Sequence, residues 1–242
     1  MNRILVTILG LAPFYGMALT PPTEADFNKL KQSSDFTERV ERARSQHNHL
    51  IATGLLKQAQ YRDSDISAML MPSSDTLPTE GDVRIVVIPI EFTDYPHTES
   101  KAQLTDKLFG PAQRSITEFF KSSSYGKLNI TGQVLDWYSA PMRKDDVFSE
   151  ESLIKSAIKY HDQKGIDFSQ FDNRNNGKID YVVIIWTGPE QGWGDFWWGK
   201  YYGGFDPTFS VDGKTIGSFS WQPLVSSHES EFSTDKIGRA HV

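Results

Sequence analysis

Two stretches constrain the fold of this chain more than anything else in it: Val83-Arg84-Ile85-Val86-Val87-Ile88-Pro89-Ile90-Glu91-Phe92 and Asp180-Tyr181-Val182-Val183-Ile184-Ile185-Trp186-Thr187-Gly188. Both are rich in β-branched residues, and neither alternates apolar with polar positions as a strand with one wet face does. Near-continuous apolar runs of this length belong to strands buried on both faces. Pro89 predicts a bulge or the end of the first strand, because proline cannot donate to a ladder. Between the two runs, Lys127 to Trp137 reads as a further strand around Gly132. Gln113 to Lys121 reads as a short helix. Ser149 to Gln163 reads as a longer one, with Ser149 as N-cap, Leu153, Ile154, Ala157 and Ile158 as its apolar stripe, and Gly165 as its stop. Strand, helix, strand, helix, strand gives an α+β layer with helices packed on a sheet. Downstream, Thr208 to Val211 and Lys214 to Trp221 flank Asp212-Gly213, a hairpin signal.

Upstream of the first strand the character changes. Residues 23–67 are polar with apolar residues at steps of three and four (Phe27, Leu30, Phe36, Val40, then Leu50, Ile51, Leu55, Leu56), which predicts two short amphipathic helices. Met71 to Gly81 is rich in Pro, Ser, Thr and Gly and reads as a linker. The first 18 residues have a positive start at Arg3, a short apolar stretch and small residues at Gly16 and Ala18, the pattern of a secretory signal peptide, too short and broken for a membrane span. The expected organisation is therefore signal peptide 1–18, pro-segment and linker 19–80, and a compact domain over 81–235, exported from a bacterial-type cell. With 31 acids against 25 bases the net charge is −6, and no run of Lys or Arg occurs, so a phosphate backbone is not an expected partner. The chain has no cysteine, so any metal must be held by His and carboxylate.

Three constellations bear on chemistry. Asp172, Asn176 and Asp180 lie in an Asn/Gly-rich loop ahead of the second apolar run and resemble the first half of a calcium loop. Arg174 occupies a slot that wants Asp or Asn, so a plain Asx turn stands beside calcium as the alternative. Trp193, Trp197 and Tyr201, in a Gly-rich aromatic tract, are candidates to line a substrate cleft or to stack on sugars, with core packing as the alternative. A carbohydrate-binding module stabilised by calcium, or a glycosidase using Glu190 and Asp195, are the rival functions these residues allow. Of the six histidines (His47, His49, His97, His161, His228 and His241) no two stand four apart, so the H-E-x-x-H zinc motif does not occur; His228-Glu229 begins one, but Phe232 stands where the second His belongs. Lone exposed histidines are the expectation.

Taken together, VRIVVIPIEF (83–92), ITEFFKSSSYGKL (116–128), Val134 to Trp137, FDNRNNGKIDYVVIIWTGP (171–189) and the aromatic-glycine tract resemble the N-terminal part of the catalytic domain of immune inhibitor A-type secreted zinc metalloproteases. The resemblance spans about 81–225. It implies an α+β, zincin-like catalytic lobe preceded by a helical pro-segment, a zinc cofactor, and protein or peptide substrates, with no membrane span once the signal is removed. It also implies that the zinc helix follows the region of Gly217–Ser227, so no catalytic residue is assigned within this sequence. Lys236 to Val242 resembles the in-frame translation of a short-read sequencing adapter and is set apart from the fold. A lobe lacking its zinc helix is expected to leave one sheet face uncovered at Val182, Ile184 and Trp186, or at their alternates.

Overall fold

The computed structural model describes residues 28–45, 77–112 and 115–224. The expected signal peptide, the second helix of the pro-segment and the tail at 236–242 lie outside the described residues. The first apolar run forms β1 (Gly81–Glu91), followed by β2 (Leu128–Val134), β3 (Tyr138–Ser139), β4 (Lys178–Trp186), β5 (Lys200–Tyr202), β6 (Ser210–Val211) and β7 (Lys214–Pro223). The sheet order is β2-β1-β4-β7-β5, with β2, β1, β4 and β7 parallel and β5 antiparallel. The hairpin forms as expected, with Val211 paired to Lys214 across Asp212-Gly213.

The two apolar runs are adjacent in this sheet, with Val86 beside Val182 and Ile88 beside Ile184. Their odd and even residues feed two separate cores. Val83, Ile85, Val87, Val183 and Ile185 meet α2 (Lys101–Phe109) and α3 (Ile116–Ser123) through Leu104, Leu108 and Ile116. Val86, Ile88, Ile90, Val182, Ile184 and Trp186 meet α4 (Glu150–Gln163) through Leu153, Ile154, Ala157 and Ile158. The expected bare face therefore does not exist among the described residues: Val182, Ile184 and Trp186 are each fully buried. The reason is topological. Because β2 and β4 flank β1 on opposite sides, two right-handed crossovers must place their helices on opposite faces.

Serine caps set the helix starts: Ser100 with Gln103 makes a reciprocal capping box on α2, and Ser115 and Ser149 accept from Glu118 N and Ser152 N. Gly132 lets α2 sit close to β2, since a Cβ there would fall 1.9 Å from the Phe109 ring. Pro89 neither bulges nor ends β1, which runs on to Glu91. Val87 O and Glu91 O both face the β2/β3 side, accepting from Leu135 N and Ala140 N, so by the period of two Pro89 N faces the same side. There β1 passes from its last partner in β2, Val134, to its first in β3, Tyr138, and no donor is required. No helix among the described residues is long and apolar enough to cross a membrane.

The N-terminal segment contributes α1 (Phe36–Ser45), which seats Phe36 and Val40, with Leu30 before it, against Trp193 and Trp198.

Candidate functional site

In an open parallel sheet the connections reverse sides at one point, and the crevice outside the carboxyl ends of the strands there is where ligands bind. Here that point lies between β1 and β4, and three side-chain groups gather around the carboxyl edge.

The first is centred on Glu91, the last residue of β1. Its Oε1 accepts from Ser139 Oγ at 2.5 Å, and its Oε2 accepts from the His97 backbone N–H at 2.8 Å and faces His97 Nδ1 at 2.6 Å. Burial works to raise the Glu91 carboxyl, but the hydrogen bonds from Ser139 and His97 outweigh it and hold it below the ordinary glutamate value. The His97 ring stacks on Trp137 with centroids 4.6 Å apart. A carboxylate at Nδ1 holds the imidazole in one orientation, an arrangement that suits proton transfer or ligation of a metal.

The second group is the loop from Thr187 to Gly199, which is anchored from beneath by two buried lysines. Lys144 Nζ donates to Pro189 O at 2.9 Å, and Lys200 Nζ donates to Phe196 O at 2.9 Å while pairing with Glu150 Oε1 at 2.5 Å. Burial pushes Lys144 down to about 8 and lowers Lys200 as well, against the opposing pull of nearby carboxylates. Tyr202 O–H donates to Glu150 Oε1 at 3.2 Å. Beside this cluster lies a cavity of about 480 Å³ lined by Glu150, Glu151, Tyr202, Phe205, Asp206 and Phe219.

The third group is α1 itself, laid over that loop. Arg39 Nη1 reaches Gln191 O at 3.3 Å and Trp193 O at 3.1 Å, and its Nη2 lies 3.2 Å from Asp195 Oδ2. Arg42 Nη1 donates to Gly194 O at 2.9 Å.

The three cleft candidates do not form one platform. Trp193 is buried under α1, and Trp197 is buried among Phe92, Trp186, Phe196 and Trp221. Tyr201 is partly exposed and stacks on Tyr181, whereas its neighbour Tyr202 stacks on Phe219 in the other core. Asp195 faces Arg39, and Glu190 Oε1 accepts from Gly199 N at 3.5 Å. His161, expected to be exposed, is buried at the end of α4, and burial pushes it down to about 4.

The calcium-like loop sits at the opposite, amino edge of the sheet. Asp172 accepts from Asn176 N at 3.0 Å and Gly177 N at 2.9 Å, and Lys214 Nζ lies 2.7 Å from its Oδ2. Asn176 Oδ1 accepts from Lys178 N at 3.1 Å. Asp180 accepts from Asn173 N and Nδ2, and burial raises its carboxyl above the ordinary value. Asn173 in turn bridges Arg84 N and Arg84 O, extending the β1 ladder below its first contact with β4. A calcium ion binding here would have to displace the Lys214 ammonium from Asp172.

Sequence reasoning missed the Glu91–His97 pair and the lysine anchors. The pair has a faint signal in a Glu at a strand end followed by a His six residues on. Lys144 and Lys200 have none, since an isolated lysine looks like surface. Compared with known proteins, the chain matches no protein-family model and no curated sequence.

Proposed function

We propose that this chain is the N-terminal part of a secreted zinc metalloendopeptidase precursor of the immune inhibitor A type. Residues 1–18 direct export, with cleavage near Ala18; residues 19–80 form a pro-segment, and the sheet and helices after it belong to a zincin-like peptidase domain. The observation that carries this reading is the seating of α1, which lies before the Pro/Ser-rich linker, over the loop at the carboxyl edge of the sheet. A segment lying before the linker and covering the carboxyl edge of the sheet supports the pro-segment reading.

The described residues do not fit a catalytic zinc, which needs three protein ligands and an open water position. No group of three His, Asp or Glu side chains converges among them, and His97 brings one imidazole already tied to Glu91. The reading accordingly assigns zinc to an element absent from this sequence. The Asp172–Asp180 loop is proposed as a calcium site in competition with Lys214.

The test is to express residues 1–235 together with the coding sequence that continues them in place of the adapter-like tail. Casein hydrolysis abolished by a chelator and restored by zinc is expected from that longer protein and not from residues 1–242. Chelator-sensitive hydrolysis by the 242-residue chain alone, or a continuation that encodes no H-E-x-x-H, overturns the reading.

A further inference from the structure

The main-chain carbonyls of the loop between β4 and β5 that meet cations fall into two groups. Pro189 O and Phe196 O are held from inside the domain by Lys144 and Lys200, both essentially fully buried. Gln191 O, Trp193 O and Gly194 O are held from outside by Arg39 and Arg42 of α1. Gly192 and Gly194 bracket Trp193 with left-handed backbone, at φ 83° and 74°, which lets these carbonyls face the helix together.

Arg39 makes the fuller contact. Its side chain is 13% exposed, and two carbonyls and the Asp195 carboxylate surround Nη1 and Nη2, while Nε pairs at 2.6 Å with Asp35 of its own segment. Carbonyl oxygens and a carboxylate at fixed angles suit a planar guanidinium fork better than a compact ammonium. The lysine anchors at Pro189 O and Phe196 O come from inside the domain and bracket the groups that Arg39 meets, which favours a site pre-organised for a cation. Next to it, Trp193 and Trp198 offer an apolar surface that Phe36 and Val40 occupy.

We infer that Gln191 O, Trp193 O and Asp195 form a guanidinium-binding subsite that selects arginine in protein or peptide ligands, and that Arg39 is its internal occupant. The use of the subsite in substrate choice rests on the pro-segment reading; its existence does not. An arginine flanked by apolar residues, as Phe36, Arg39 and Val40 are, is the ligand pattern it takes.

The test uses the full chain. Free N-acetyl-arginine amide competes with Arg39, so hydrogen exchange of the α1 amides accelerates, by about threefold when the ligand stands at twice its Kd. N-acetyl-lysine amide leaves exchange unchanged. Titration runs to about 0.1 M, above the millimolar effective concentration of a tethered segment. In Arg39→Ala, ethylguanidinium raises the Tm where ethylammonium does not, and neither raises that of the wild type; should that variant fail to fold, Arg39→Lys serves in its place. Equal response to the arginine and lysine amides, or to the two small cations, overturns the subsite. Neither readout involves proteolysis, so an inactive extended chain that still prefers guanidinium would remove the peptidase reading and leave the subsite standing.

Discussion

Lys144 Nζ lies 4.1 Å from the centroid of the Trp197 ring while donating to Pro189 O, so one buried ammonium ties the aromatic core to the loop that carries the candidate subsite. The charge is held by a ring face and a carbonyl rather than by a carboxylate within ion-pair distance, and burial pushes its pKa down to about 8 from 10.5. Between those two values the unfolded chain binds more protons than the folded one, so this group makes stability rise with pH. Urea denaturation from pH 7.5 to 10.5 is expected to show wild type gaining on Lys144→Met by up to about 3 kcal/mol. Parallel curves for the two proteins would show that the folded-state ammonium carries no such penalty.

His161 gives the matching acid-side effect. It is 2% exposed at the end of α4, and burial lowers it to about 4 from 6.5. Across that interval the unfolded state takes up the proton first, so stability is full above pH 6.5 and falls as the pH drops toward 4. Thermal unfolding of His161→Gln should lose much of the wild-type slope between pH 4 and 6.5. An unchanged slope would assign the acid transition to carboxylates instead.

What was legible in the sequence follows from where the pattern was local. β1, β4, α4 and the β6–β7 hairpin carry their period or their turn within a dozen residues, and Ser149 caps α4 as read. α2 carries almost no periodic signal, since Leu104 and Leu108 are its only buried residues, although Ser100-x-x-Gln103 is a capping box in plain view. β5 is hidden in an aromatic tract, since Lys200 in a strand with no exposed surface contradicts every local expectation and depends on Glu150, fifty residues away in sequence. The carboxyl-edge groups were illegible for the same reason. Glu91 with Ser139, Lys144 with Pro189 and Arg39 with Asp195 are each made by topology, and nothing near any of these residues announces its partner.

At the amino edge, Asp172 and Lys214 decide between a turn and a calcium site. Lys214 Nζ lies 2.7 Å from Asp172 Oδ2, and two backbone N–H groups already bind the same carboxylate. Removing the ammonium should free a charge for a cation, so Lys214→Gln is expected to bind calcium more tightly than wild type in calorimetry. Asp172→Ala should abolish the heat in either background and destabilise the domain by about 1–3 kcal/mol, because Asn176 N and Gly177 N lose their acceptor. Equal calcium affinity in wild type and Lys214→Gln would show that the two cations do not compete for this carboxylate.

The seating of α1 can be separated from the strain of the loop beneath it by two glycines that share a conformation and differ in surroundings. Gly192 and Gly194 both have left-handed backbone, and alanine at either should cost about 1–2 kcal/mol on that account. A Cβ at Gly192 would meet nothing within 4 Å, whereas one at Gly194 would fall 2.8 Å from Arg39 O and 2.9 Å from Arg39 Cβ. Those are atoms of a helix backbone and of a side-chain root, so neither can swing aside, and α1 must lift. Lifting it breaks the Arg39 and Arg42 contacts with the loop and uncovers Trp193 and Trp198. Both variants should therefore lower the Tm by similar amounts through loop strain, but only Gly194→Ala should speed hydrogen exchange across 36–45 and shift tryptophan emission to the red. If Gly192→Ala produced the same exchange and emission changes, the loop's shape would be what holds α1, and close approach at Gly194 would play no separate part.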